Sequence, residues 1–173
     1  MFIKNDIVSL RIAEPNDAET IYRWENDMQV WRDSETRVPF SMRQIEQFLL
    51  NCNDLLSEKQ LRLMIEDSND GTSVGCIDIY DYDMFNSRAG FGILIDEKHR
   101  GHGFAKNAVK LLLEYCFNTL LLNQIYVLTL ASNTESQKLF ESLGFVRCGQ
   151  RKQWYNTADG FVDQIEYQYI NNK

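Results

Sequence analysis

Proline and glycine are scarce in this 173-residue chain, at two and nine residues, and that scarcity excludes collagen-like and low-complexity disordered architectures. Long apolar runs are absent. The strongest, Leu111-Leu112-Leu113, continues into Glu114 and falls far short of the roughly 20 residues a membrane span needs. The amino terminus, Met1-Phe2-Ile3-Lys4-Asn5-Asp6, carries no apolar core and no cleavage-like site, so we expect no signal peptide, no membrane partner and a cytoplasmic location. The four cysteines, Cys52, Cys76, Cys116 and Cys148, form no C-x-x-C pair. A zinc or other metal site is therefore not expected, and they read as reduced, buried small hydrophobes. A catalytic cysteine would want a nearby histidine, and the two histidines, His99 and His102, sit together in one glycine-rich loop.

Positive charge is also in short supply. The formal net charge is −7, which makes the chain a poor general nucleic-acid binder, because phosphate contacts need basic clusters. The deficit is uneven. Residues 1–97 hold nine basic and 19 acidic side chains, a net of −10, while residues 98–173 hold nine and six, a net of +3. Two segments dominate the negative half: Glu14 to Glu35, with seven acids against two bases, and Glu66 to Asp83, with six acids against none. The simple account is solubility. The other is an anionic ligand at one end of the molecule and a cationic one at the other.

What is present is an ordinary globular composition, 44% hydrophobic, of a length that fits one domain over residues 1–173. Ile7 to Ile12 alternates as a strand does. Pro15-Asn16-Asp17 opens a helix with Ala18, Ile21, Tyr22 and Trp24 toward one face. A short helical piece spans Met28 to Arg32, and Ser41-Met42-Arg43-Gln44 has the form of a capping box opening a helix to about Cys52. Strands follow at Gln60 to Glu66, Ser73 to Tyr82 and Ala89 to Ile95. Next come an amphipathic helix from Phe104 to about Asn118, a strand at Gln124 to Leu130, and a helix at Asn133 to Leu143 ended by Gly144. A final hairpin, Phe145 to Tyr155 and Phe161 to Ile170, turns near Ala158-Asp159-Gly160. This order predicts an α/β (α+β) architecture: a mixed sheet of about seven strands with helices on both faces.

The sharpest local feature is Arg100-Gly101-His102-Gly103-Phe104-Ala105, between a strong strand and a strong helix. Such a junction offers unpaired backbone N–H groups and the positive end of a helix dipole. Glycines let the backbone approach a phosphate closely, and Arg100, Lys106 and Lys98 add positive charge. The loop lacks the G-K-[ST] ending of a Walker loop. It also lacks the third glycine of the dinucleotide fingerprint, since Lys106 stands there. A tight strand-to-helix turn accounts for it equally well at this stage.

Arg-x-x-Gly-x-Ala at Arg100, Gly103 and Ala105 resembles the coenzyme A pyrophosphate loop of the GNAT superfamily of N-acetyltransferases. Downstream, Asn133-Thr134-Glu135-Ser136 followed by Leu139-Phe140-Glu141-Ser142-Leu143-Gly144-Phe145 resembles the next motif of that family, an Asn-led helix closing in Gly-Phe. Upstream, Tyr22-Arg23-Trp24-Glu25-Asn26-Asp27 resembles the Trp-x-Asn-Asp signature of the branch holding ribosomal-protein-alanine and spermidine or diamine acetyltransferases. The resemblance covers almost the whole chain and implies the GNAT acyl-CoA N-acyltransferase fold.

The resemblance further implies that acetyl-CoA is a cosubstrate, bound where the strands Gly90 to Ile95 and Gln124 to Leu130 splay apart. The backbone of Ile93, Leu94 and Ile95 would pair with the pantetheine arm, and the amide of a residue near Leu94 would polarise the thioester carbonyl. Amides of Gly101, His102, Gly103, Phe104 and Ala105 would hold the pyrophosphate beside Arg100 and Lys106. Asn133 and Phe140 would lie along the arm. The reaction implied is direct attack of a primary amine on the thioester in one ternary complex. A carboxylate is expected to take the ammonium proton. The strand on which family members often place it has no acid before Asp96, so Asp78, Asp81 and Glu25 are the candidates. Strand alternation puts Asp78 and Asp81 on opposite faces.

Where many family members carry a thiolate-protonating tyrosine, this chain has Phe140. Tyr126 or Tyr155 could take that role, or Phe140 could simply pack against the coenzyme arm. Trp24 and Trp31, with Glu25 and Asp78, are candidate acceptor-site residues, although core packing suits the tryptophans as well. Trp154 and Tyr155 divide in the same way. The expectation is an acetyl-CoA-dependent N-acetyltransferase acting on a small cationic amine such as a polyamine or diamine. A catalytically weak coenzyme A-binding module, a protein N-terminal acetyltransferase and an unrelated phosphate-binding domain are the alternatives. Homo-oligomerisation is left open.

Overall fold

A computed structural model describes residues 3–31, 34, 36–157 and 159–172 of the chain. Eight strands form one sheet: β1 (Ile3–Lys4), β2 (Val8–Ile12), β3 (Leu61–Asp67), β4 (Ser73–Asp83), β5 (Arg88–Ile95), β6 (Gln124–Leu130), β7 (Val146–Thr157) and β8 (Gly160–Ile170). Five helices accompany them: α1 (Ala18–Glu25), α2 (Met28–Trp31), α3 (Met42–Asn51), α4 (Phe104–Asn118) and α5 (Thr134–Ser142). Seven strands were expected. The additional one, β1, is two residues long and pairs Ile3 with Leu10, too short to leave an alternation in sequence. The end of the second helical piece at Arg32, and Ala158 in the last turn, lie outside the described residues.

The strand order is β1-β2-β3-β4-β5-β6-β8-β7. Every neighbouring pair is antiparallel except β5–β6, which is joined through α4 and runs parallel. The unit β6-α5-β7 does not add a second parallel pair, because the last hairpin inserts β8 between β6 and β7. Period-two alternation sorts the central strands into two cores. Leu63, Ile65, Ile77 and Ile79 join Ala108 and Leu112 of α4 on one face. Met64 and Cys76 join Ile21 and Trp24 of α1 and Ile45 and Leu49 of α3 on the other. Each fully buried aliphatic side chain there contributes about 1.5–3 kcal/mol.

Local chemistry sets the helix starts. The Gln44 amide donates to Ser41 Oγ (3.3 Å) and the Ser41 amide to Gln44 Oε1 (2.8 Å), the capping box read from sequence. Arg11 on β2 donates to Asp17 at the head of α1 (2.7 Å) and to Glu66 on β3 (2.6 Å). That network locks the first helical unit onto the sheet and thereby fixes where the end of α1 lies. Among the described residues no helix is long and apolar enough to cross a membrane.

Candidate active site

The sheet opens where its one parallel pair fails. β5 and β6 pair only at Arg88↔Gln124, Ala89↔Ile125 and Gly90↔Tyr126, although both strands continue for several residues. Gly90 makes the last pair possible: a Cβ there would lie 2.2 Å from the Tyr80 ring and 2.8 Å from that of Tyr126. Beyond it a cleft of about 530 Å³ passes between the strands, from the N-terminus of α4 to the C-terminus of α1.

At one end the site is built from backbone. The Asp96 amide donates to the Val74 carbonyl (2.9 Å), and the β4–β5 register is constant from Gly75↔Ile95 to Tyr80↔Gly90. Hydrogen-bonded pairs alternate in an antiparallel ladder. Gly92 and Leu94 therefore direct their N–H and C=O groups into β4, while Ile93 and Ile95 direct theirs into the opening. The residue near Leu94 whose amide can polarise a carbonyl is thus Ile93 or Ile95, and Leu94 itself is committed to the ladder. Arg100 Nε donates to the Ile95 carbonyl (3.2 Å), which places Arg100 at the lip. Gly101 (φ 81) and Gly103 (φ 82) are both left-handed, and Gly103 is the N-cap of α4, so the free amides of its first turn face the cleft. His99 lines the same wall with its Nδ1 buried and without a hydrogen-bond partner among the described residues. An orphaned buried nitrogen, two left-handed glycines and the cations Arg100 and Lys106 suit a ligand rich in phosphate oxygens.

At the other end the site is built from side chains. Arg62 on β3 stands opposite Asp78 on β4. Its Nε and one terminal nitrogen donate to the two oxygens of Asp78 (2.7 and 2.8 Å), and its other terminal nitrogen donates to Glu25 Oε1 (2.8 Å). The guanidinium also lies 4.6 Å from the centre of the Phe48 ring. Burial works against its charge, but Asp78 and Glu25 outweigh burial and hold it firmly protonated. Two acids against one base leave this three-residue cluster with a formal net charge of −1. Cys76 lies beside them, its thiol pushed up to about 12 by burial, and the other two buried thiols behave alike: Cys52 rises to about 11 and Cys116 to about 12. Such thiols are poor nucleophiles at neutral pH.

The family model for the acetyltransferase (GNAT) domain matches residues 8–146. The chain belongs to the GNAT acetyltransferase family. Among curated relatives, spermidine N(1)-acetyltransferase of Vibrio cholerae is 26% identical, over 96% of this chain and 94% of its own length. The crystal structure of spermidine N-acetyltransferase from Vibrio cholerae in complex with CoA and spermine superposes with a TM-score of 0.87 at 24% identity, over 98% of each chain. Ribosomal-protein-S5-alanine acetyltransferase from Vibrio fischeri gives 0.86 at 21% identity, over 99% of this chain and 97% of that one. At those identities the two structures speak for the fold. The family makes the chain an N-acetyltransferase, and the matched span contains the loop from Arg100 to Ala105.

Of the twelve residues expected along the cofactor, this GNAT domain places eleven on the cleft wall. The exception is His102, which is exposed, 6.0 Å ring to ring from Phe104, with its Nδ1 3.3 Å from the His99 carbonyl. Glu25 and Asp78, both candidate acceptor residues, are brought together on Arg62. Asp81 is elsewhere: it sits in the β4 bulge with a left-handed backbone (φ 50), so strand alternation does not govern it, and it accepts from Tyr126 Oη (3.0 Å). Burial first, and then that bond, push the Tyr126 hydroxyl up to about 12, which makes it a weak proton donor. Tyr155 is buried under the last hairpin against Gln164 Nε2 (2.6 Å).

Neither Trp24 nor Trp31 lines the cleft. Trp24 is 4% exposed and donates from Nε1 to Asp96 Oδ2 (2.9 Å), while Trp31 donates from Nε1 to the Glu25 carbonyl (2.6 Å). Phe140 fills its place in an aromatic cluster, with ring centres 5.7 Å from Phe91, 5.9 Å from Phe145 and 6.0 Å from Tyr167. Sequence reading missed Arg62. The available signal was an arginine inside the apolar run Leu61-Arg62-Leu63-Met64-Ile65, where a charge must find partners.

Proposed function

We propose that this GNAT domain transfers an acetyl group from acetyl-CoA to a primary amine on a cationic small molecule of the diamine or polyamine class, by direct attack in a ternary complex. The observation that carries this reading is the placement of a net-negative side-chain cluster and a phosphate-suited glycine loop at opposite ends of one cleft. Amides of the Gly101–Ala105 loop, with Arg100 and Lys106, hold the pyrophosphate. The gap-facing backbone of Ile93 and Ile95 aligns the pantetheine arm and offers an amide to the thioester oxygen, a contact worth a few kcal/mol in the transition state. Asn133 and Phe140 flank the arm. The neutral amine nitrogen forms the new C–N bond as the C–S bond breaks, the coenzyme leaves as a thiolate, and the proton released from nitrogen passes to that thiolate or to water. A thiol pKa near 8.5 makes that departure feasible without a tyrosine. The raised thiol pKa values of Cys52, Cys76 and Cys116 favour this direct route over an acetyl-cysteine intermediate. The spermidine acetyltransferase relative supports the polyamine class.

Phe140 favours a second reading, a coenzyme A-binding module with weak catalysis. Measuring thioester loss with spermidine, putrescine and an alanine-led hexapeptide, alongside coenzyme A binding by calorimetry, separates the two. The enzyme reading expects turnover with the cationic small amines. Tight coenzyme binding without turnover on any amine would support the module.

A further inference from the structure

The three charged groups at the acceptor end are not equivalent. Each oxygen of Asp78 accepts one hydrogen bond from Arg62. Glu25 gives Arg62 only Oε1 (2.8 Å), and among the described residues its Oε2 takes no hydrogen bond. Arg62 itself is 8% exposed, gripped by the two acids and covered by the Phe48 ring, so it has little freedom to release either one. Glu25 ends α1, and its backbone carbonyl is fixed by Trp31 Nε1 (2.6 Å). Glu25 is thus anchored at its backbone and at Oε1 on the cleft wall, and among the described residues its Oε2 accepts no hydrogen bond.

Resting on the acetyltransferase reading above, we propose that Glu25 is the specificity-determining carboxylate that receives the cationic acceptor, and that Arg62, clamped on Asp78, is the positioning residue that aims it. Asp78 then serves the clamp and does not touch the acceptor. The cluster's charge of −1 matches one ammonium group, and among the described residues Glu25 Oε2 is the carboxylate oxygen of the cluster that accepts no hydrogen bond.

Glu25→Gln and Asp78→Asn make a matched test, because each takes the cluster from −1 to 0 and the long-range field changes equally. A difference between them reads contact. The probes are spermidine, putrescine and the alanine-led hexapeptide, with coenzyme A affinity and melting temperature as checks on folding. We expect E25Q to raise the KM of the best cationic amine by about 10- to 100-fold with kcat within threefold, as loss of one charge-assisted hydrogen bond implies. D78N should raise it less, and coenzyme A affinity should stay within twofold for both. Arg62→Lys, which lacks the planar fork needed to hold two carboxylates at once, should raise KM into the E25Q range while coenzyme A still binds. The assignment of Glu25 is overturned if amines turn over and E25Q leaves KM within twofold, if D78N has the larger effect, or if kcat falls with KM unchanged. An unchanged KM in R62K overturns the positioning role. Turnover of no amine by the wild type overturns the acceptor reading of the preceding subsection and this one with it.

Discussion

The two ends of the cleft are made of different material. The end proposed for the cofactor consists mainly of backbone: amides of the Gly101–Ala105 loop, the left-handed Gly101 and Gly103, and the edge of β5 that leaves the ladder to β6. The end proposed for the acceptor consists of side chains from three separate elements, Glu25 on α1, Arg62 on β3 and Asp78 on β4, joined by ion pairs of 2.7 to 2.8 Å. Backbone groups recognise a constant ligand feature, a phosphate or an amide-like arm, and tolerate sequence change that preserves the turn. Side-chain clusters recognise the variable partner and change with one substitution. A domain that keeps one cosubstrate and varies its acceptor has reason to divide its site in this way.

The largest expected effect tests the side-chain end. Arg62→Met leaves Glu25 and Asp78 as uncompensated charges against the α1/α3 core. Breaking a buried ion pair by removing one partner costs about 3–5 kcal/mol, which for a domain of this size lowers Tm by roughly 10 °C. Adding Glu25→Gln and Asp78→Asn in the same chain should restore most of that loss, since no unpaired charge remains. Thermal denaturation of the single and triple variants checks this. A single variant as stable as the wild type would mean that water reaches the cluster and the two ends are less different than their geometry implies.

Gly103→Val tests the backbone end. The residue caps α4 at φ 82, where a β-branched side chain is strained by about 1–3 kcal/mol, and relieving that strain displaces the first-turn amides proposed to meet phosphate. Coenzyme A affinity should fall about 10- to 100-fold by calorimetry, with acceptor KM at saturating acetyl-CoA little changed. Arg62→Lys should show the reverse pattern. Parallel losses in both constants for either variant would erase the division.

That division also explains what could be read from sequence. α4 and β6 appear at their expected bounds, Phe104–Asn118 and Gln124–Leu130, and the glycine loop was legible because a local backbone conformation is encoded by adjacent residues. Arg62 was not, because residues 25, 62 and 78 meet only through the β3–β4 register and the docking of α1. Leu94 was placed in the opening although the ladder phase, set by the Asp96–Val74 bond, turns its neighbours there instead. Trp24 shows the limit of helical spacing, which says that an indole faces inward without saying that its N–H meets a carboxylate 72 residues away. Asp81 escaped because a bulge breaks the period of two on which its assignment rested.

Trp24→Phe tests the link between the ends, with a smaller effect. Burial pushes the Asp96 carboxyl up, but the Trp24 N–H, the Lys98 amide and nearby Arg23 outweigh it and hold the group below the usual carboxylate range. A carboxyl lowered on folding stabilises above its unfolded value near 3.9, and that stabilisation disappears as pH falls through the folded value. W24F should therefore be about 1–2 kcal/mol less stable at pH 7, and the gap should narrow on acidification toward pH 3. Because Asp96 also accepts from the Lys98 amide (3.3 Å) just before the loop, coenzyme A affinity should weaken about two- to fivefold by the same hydrogen-bond scale. Urea denaturation at pH 7, 5 and 3 reads the first effect. A gap independent of pH would assign the whole loss to packing of the indole.

The smallest expected effect concerns Phe140. Phe140 lines the cleft from α5 and is only 2% exposed, with its ring against Phe91, Phe145 and Tyr167. Phe140→Tyr adds one hydroxyl at the position where many family members protonate the departing thiolate. A thiol with pKa near 8.5 needs that help only where the thiolate is the less stable form. The gain in kcat should therefore be about two- to tenfold near pH 7 and fall toward none as pH rises through about 8.5. Acceptor KM should not move, because Glu25 and Arg62 are untouched. A gain that persists above pH 9 would assign the hydroxyl to orienting the thioester instead of donating a proton. No gain at any pH would mean that the aromatic cluster turns the para position away from the sulfur, leaving Phe140 as packing and the chemistry to the backbone of β5.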